Sequence, residues 1–332
     1  MSKQFSCFIV TIFLVTIVAF QSTATAQRNS VDVAVQRTIP LLQKTDASFI
    51  KKSGCVSCHN NSLTAMTISL ARKNGFAVDE TVAADQVKAV AKYIEDWRER
   101  IVQGVGIPGL QDTMSYILIG LGAEKFSQNA STDALARFIQ ARQQPDGHWP
   151  IRAQRPPLES SNVTVTATSL RALQLYAPEE EAVLYRLAVE KAAGWLAQTR
   201  PRDNEEHTFR LLGLTWSNAP KDVLKEATTN LLSLQKPDGG WSQLPTLKSD
   251  AYATGQALVA LHEAGIAAED PAYQRGVEFL LNTQLSDGSW LVKTRAVPIQ
   301  PYFESDFPHG DDQWISVAAT NWATMALTWA VR

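Results

Sequence analysis

The chain has 332 residues, 45% of them hydrophobic, and a formal net charge of -2. That composition supports a large buried core, and the near-neutral balance excludes nucleic acid or an anionic membrane surface as its main partner. Beyond the first apolar run, no stretch is long and apolar enough to span a bilayer.

Lys3 precedes an apolar run from Cys7 to Phe20, and Ala24-Thr-Ala26 offers a small-residue cleavage site. Residues 1–26 therefore read as a secretory signal peptide, with an uncleaved membrane anchor as the alternative. An exported, periplasmic location is expected for residues 27–332, which read as one domain. Cys55 and Cys58 are then the remaining cysteines, so cysteine is not a general staple here.

From Val31 to Lys52 the apolar positions recur at helical spacing, with a break expected at Pro40. Leu63 to Lys73 is small and apolar, as befits a helix buried on most sides. Outer and inner helices then alternate. The second pair is predicted over Glu80–Ile101 and Thr113–Lys125, and the third over Thr132–Gln143 and Val163–Tyr176. The fourth falls at Glu180–Thr199 and His207–Trp216, the fifth at Lys221–Gln235 and Ala251–Ala264, and the last at Pro271–Gln284 and Trp314–Ala330. Inner segments are rich in Ala, Gly, Ser and Thr, while outer ones carry most of the charge. The loops before the inner helices are expected to share one rim and to hold the polar chemistry.

A repeated turn organises these pairs. Gln143-Gln-Pro-Asp-Gly-His-Trp149, Gln235-Lys-Pro-Asp-Gly-Gly-Trp241 and Gln284-Leu-Ser-Asp-Gly-Ser-Trp290 share a Q-x-[PS]-D-G-x-W pattern, with a decayed version at Arg200–Asn204. Pro, Asp and Gly end a helix and make a tight turn, Gln can bond exposed helix-end groups, and Trp covers the gap between hairpins. The pattern resembles the repeat of squalene and hopene cyclases and related terpenoid cyclases. That resemblance implies an all-α fold, an (α/α)6 toroid of six helical hairpins around a central cavity, and an apolar, isoprenoid-like ligand lined by Tyr116, Tyr252, Trp314 and Trp322. Those aromatics also fit a plain core.

Cys55-Val-Ser-Cys58-His59 fits the pattern by which c-type haem is attached, with two thioether bonds and His59 as iron ligand. His309 is the candidate sixth ligand and Met114 its rival. A local disulfide, a redox dithiol and a partial zinc site are the other readings of Cys55 and Cys58. A haem would make the chain an electron-transfer protein with a redox partner, or one doing haem-dependent chemistry on the apolar ligand.

Hopene-forming cyclases protonate an alkene with an Asp in a D-x-D-D motif. Aligned with that motif, Asp250-Ala-Tyr-Ala-Thr254 keeps the first Asp and has Tyr252 where the proton donor would stand. A phenol is a much weaker acid, so that chemistry is not expected from Tyr252. Asp311 and Asp312 form a second acidic pair that fits either catalysis or a helix cap, and Asp112 and Asp250 also read as caps. A divergent terpenoid cyclase without haem and a non-catalytic binding scaffold stand as alternatives to the haem protein.

Overall fold

Short polar side chains cut the chain into helices. Asp79, Asn129, Ser161, Asp203, Asp250 and Asp270 each accept a bond from a backbone N–H in the first turn that follows, satisfying donors the helix itself leaves free. The computed structural model describes residues 30–298 and 301–330, so the expected signal peptide lies outside the described residues. These form α1 (30–53), α2 (Leu63–Lys73), α3 (Glu80–Val102), α4 (Leu110–Ala123), α5 (Ala130–Gln140) and α6 (Asn162–Tyr176). The second half holds α7 (Ala182–Gln198), α8 (Asn204–Trp216), α9 (Lys221–Leu232), α10 (Ala251–Glu263), α11 (Pro271–Thr283) and α12 (Gln313–Trp329). No strand occurs among the described residues.

The fold is an all-α toroid. Each even-numbered helix packs against the next, α2 on α4 and so on to α12, and α12 returns to α2. The odd-numbered helices from α3 to α11 lie outside them, each packed against neighbouring inner helices. One expectation changes: α1 runs unbroken through Pro40, whose exposed position lets the helix lose one backbone bond without a clash in the core.

Close approach in the inner ring depends on small residues. A Cβ on Gly255 of α10 would lie 2.5 Å from Ala323 N of α12, and one on Gly213 of α8 would lie 3.1 Å from the Ala167 Cβ of α6. Side chains seal the junction of first and last hairpins. The Asn321 amide donates to Thr64 Oγ1 at 3.2 Å, and Thr67 Oγ1 donates to Asn321 Oδ1 at 2.7 Å.

The three repeated turns make the same bonds. The Gln amide donates to the Gly carbonyl of its own turn and also reaches the next outer helix, from Gln143 to Ala188 O at 2.8 Å, Gln235 to Ala272 O at 2.7 Å, and Gln284 to Ala34 O at 3.0 Å. Each indole is buried and donates back to the preceding helix, from Trp149 to Ile139 O, Trp241 to Leu231 O and Trp290 to Leu280 O. Each Trp backbone N–H is received by a Thr of the following inner helix, Thr166, Thr254 or Thr320. The third turn thereby ties α11 to α1 and closes the outer ring. In the fourth hairpin, Arg210 of α8 takes over: its guanidinium donates to Leu196 O and Ala197 O at the end of α7 and to Glu226 of α9 at 2.8 Å.

Closure sets a testable cost at Gly288. Its φ is +91° and an added Cβ would sit 2.8 Å from Arg37 O of α1, whereas Gly265, with φ +96°, has nothing within 4 Å. Left-handed strain of about 1–2 kcal/mol is common to both. Gly288→Ala should lower the urea midpoint well beyond Gly265→Ala, and equal midpoints for the two variants would refute the tight contact at the seam.

Candidate functional site

Three of the loops that precede inner helices meet at one end of the ring. Cys58–Ser62 forms a π-helical turn before α2, capped by Ser57, whose hydroxyl accepts from Asn60 N. Arg155 and Glu159, before α6, exchange two backbone bonds and an ion pair. Thr294, Ala296, Val297, Pro298, Pro301 and Tyr302 lie before α12. Together with Asp311, Trp314 and Ile315 they line a mouth cavity of about 200 Å³ whose walls also include His59, Leu158 and several prolines.

Of the residues singled out in sequence, His59, Asp311 and Trp314 come together in this cavity wall. His59 packs edge-on against Phe49 at 5.6 Å and beside Trp314 at 5.7 Å, and Phe303 completes the aromatic group. Burial, with the neighbouring Arg155 charge, pulls the His59 imidazole well below its ordinary pKa and keeps it neutral.

Behind the wall lie buried groups that sequence reasoning had not weighed as a set. Glu205 of α8 accepts from the Tyr252 hydroxyl at 2.9 Å and from Thr164 at 3.4 Å. Burial raises its carboxyl well above the ordinary range. Asp112 of α4 is 2% exposed, and neither of its carboxylate oxygens has a hydrogen-bond partner among the described residues. It does not cap α4, which starts from Gly109 without a side-chain cap. Burial pushes Asp112 up to about 7, against the field of Arg155. One turn on, the Tyr116 hydroxyl is equally buried and unpartnered, and it feels the charges of Glu205, Asp112 and Cys58. The Trp322 indole N–H is buried without a partner too, its ring edge-on to Phe209 at 6.1 Å. Unsatisfied buried polar atoms are rare in folded proteins, and several in one ring centre mark a place built for something other than stability.

A signal for Glu205 does exist in the sequence. Glu205, Thr208, Phe209 and Leu212 recur at helical spacing, and all four are buried. No pattern distinguished Asp112 from an ordinary helix-start acid.

The remaining candidates are engaged elsewhere. Asp250 caps α10 through Ala253 N and accepts from Gln243; burial lifts its carboxyl to about 6 despite those bonds. Asp312 accepts from Thr294 N at 2.8 Å and Lys293 at 2.7 Å, which hold it below its ordinary range against burial. His309 Nε2 shares a 2.7 Å bond with Ser289 Oγ in the third repeated turn, and His309 is not among the cavity-lining residues. Met114 is buried in the core.

No protein-family model matches the chain. Among curated proteins it is similar to drimenyl diphosphate synthase of Streptantibioticus cattleyicolor, 27% identical over 206 residues that cover 56% of this chain and 37% of that one. The same enzyme of Streptomyces showdoensis is 26% identical over 166 residues, covering 46% of this chain and 30% of that one. The matched region thus spans well under half the length of these relatives. Among solved structures, a protein from Actinoplanes superposes with a TM-score of 0.62 at 13% identity, over 91% of this chain and all of that one. Type II terpene cyclase MstE from Scytonema, without ligand, superposes at 0.59 with 15% identity over 92% of this chain and 98% of that one. The fold is the terpene cyclase toroid.

These findings correct the expectation of a covalent haem. The named proteins that the chain resembles are drimenyl diphosphate synthases and the type II terpene cyclase MstE, and among the described residues no three His, Cys, Asp or Glu side chains form a group able to hold a metal ion. The local geometry gives the physical reason. Cys58 is buried, with its thiol directed to Glu159 Oε1 at 3.6 Å and pushed up to about 12 by burial. Cys55 instead contacts Ser53 Oγ at 3.5 Å, and both thiols are free. The imidazole of His59 is wedged among aromatic rings, its Nδ1 3.3 Å from the Asn60 amide. Two thiols with separate partners, one of them buried, do not present one face to a macrocycle.

The raised acids carry a pH signature. An Asp that stays protonated in the fold but ionises when unfolded lends stability that is full below about pH 4 and lost as pH rises through the folded value. For Asp112 that loss runs to about 7, and for Asp46, raised by burial despite its bond from Asn61, to about 8. Each contributes a slope of up to about 1.4 kcal/mol per pH unit. Melting temperature should therefore fall on going from acid to mildly alkaline buffer, and Asp112→Asn should flatten the fall. An unchanged slope in that variant would show that Asp112 ionises freely.

Proposed function

We propose that the ring binds an isoprenoid chain and that Asp112 starts its cyclisation by protonating an alkene, making the protein a divergent terpene cyclase that isomerises its substrate. The observation that carries this reading is the carboxyl of Asp112, buried at the ring centre with both oxygens free of protein partners. A general acid works best with a pKa near the operating pH, and about 7 keeps this carboxyl partly protonated while leaving it the stronger acid of the two buried at the centre.

The proton moves from Asp112 to the less substituted alkene carbon, leaving a tertiary cation that a second alkene of the chain attacks. Loss of a proton ends the sequence, so the product has the formula of the substrate. Tyr116, Tyr252, Trp322 and Phe209 supply aromatic faces of the kind that steady such cations. The acid thus stands on α4 instead of on α10, where Tyr252 replaces the carboxylate of the D-x-D-D motif. Support also comes from the relatives. MstE has been crystallised with geranylgeranyl dihydroxybenzoate as substrate and with merosterolic acid A as product.

Incubation with farnesyl and geranylgeranyl compounds, followed by mass spectrometry, should reveal cyclised isomers of unchanged mass. Asp112→Asn should cut the rate by about a hundredfold or more. The wild-type rate should decline as pH rises through about 7, because the donor must be protonated. Full turnover in Asp112→Asn would refute Asp112 as donor.

A further inference from the structure

We infer that the mouth cavity selects an isoprenoid whose head group is uncharged, such as a prenyl alcohol or a prenylated phenol, over a prenyl diphosphate. The inference rests on the isoprenoid reading above and concerns the end of the ligand left at the rim.

The charges that line the cavity are one cation, Arg155, and two anions, Glu159 and Asp311. Arg155 is already committed to Glu159 by an ion pair, and the loop between them is pinned by their paired backbone bonds. His59 is held neutral by burial beside Arg155. Two further cations of the neighbouring segment are engaged away from the cavity. Lys293 donates to Asp312 at 2.7 Å, and Arg295 to Gln243 at 2.7 Å. A diphosphate brings several negative charges and needs cations or helix-start N–H groups to meet them. At this wall it would meet a net negative lining and would compete with Glu159 for the guanidinium. An uncharged head meets no such opposition. The adjoining rings of Trp314 and His59 offer flat apolar surface, and a hydroxyl can bond to Asp311.

Quenching of tryptophan fluorescence by two ligands of one chain length, geranylgeraniol and geranylgeranyl diphosphate, separates the possibilities without relying on turnover. At neutral pH and about 0.15 M salt the alcohol should bind at least about tenfold more tightly than the diphosphate. Glu159→Gln, which releases Arg155, should tighten the diphosphate several-fold and leave the alcohol unchanged. Equal or tighter binding of the diphosphate by the wild type overturns the inference and leaves the isoprenoid reading standing. Failure of both ligands to bind overturns the isoprenoid reading and this inference with it. If the variant does not fold, the wild-type comparison alone decides.

Discussion

The structure depends on one bond pattern, a glutamine amide that crosses from the end of one hairpin to a backbone carbonyl of the next outer helix. In the turn that begins at Gln284, that crossing runs from the last hairpin back to α1, joining residues 250 apart in sequence. The indole beside the amide bonds carbonyls that also accept backbone N–H groups of the turn, Ile139 from Arg142, Leu231 from Leu234 and Leu280 from Gln284, so the motif adds second partners where hairpins meet. The indole adds its own area: truncating a fully buried Trp typically costs roughly 3–5 kcal/mol. Three such turns and the Arg210 substitute hold the hairpins at a spacing that lets the inner ring close.

A closed inner ring withdraws the groups on its inner helices from solvent, and that environment sets the chemistry. Backbones approach within side-chain distance at Gly255 and Gly213, which brings the inner helices together. Carboxyls on the inner helices are then pressed toward their neutral forms, as Asp112 and Glu205 are. The fold gives up stability at Asp112 because neither of its carboxylate oxygens is paired among the described residues. Such expense is characteristic of sites shaped by a ligand or a reaction.

Much of this was legible in the sequence. Helix pairs and their order followed from apolar spacing and from three copies of one turn, because both are local patterns with a direct structural meaning; the ring followed from the family resemblance that those copies carry. The site was legible only in part. His59 and Asp311, expected on one rim, and Trp314, expected in a ligand pocket, line one cavity, whereas Cys55-Val-Ser-Cys58-His59 suggested a haem that the fold does not accommodate. The motif specifies residue spacing along the chain, whereas haem attachment needs both thiols and the imidazole on one accessible face. Here Cys58 turns to Glu159, a residue 101 positions away. Asp250 behaved as the helix cap that its position suggested, while Asp112, in the same kind of position, did not.

The sequence by itself determined the repeat, the helical class and the division into small inner and charged outer helices, since each of these is written in periodicities of a few residues. Only the tertiary structure decided which acid is stripped of partners and which is paired. The surroundings of Asp112 and Glu205 arise from groups supplied by other hairpins, and no local pattern encodes what the closing of a ring will bring alongside.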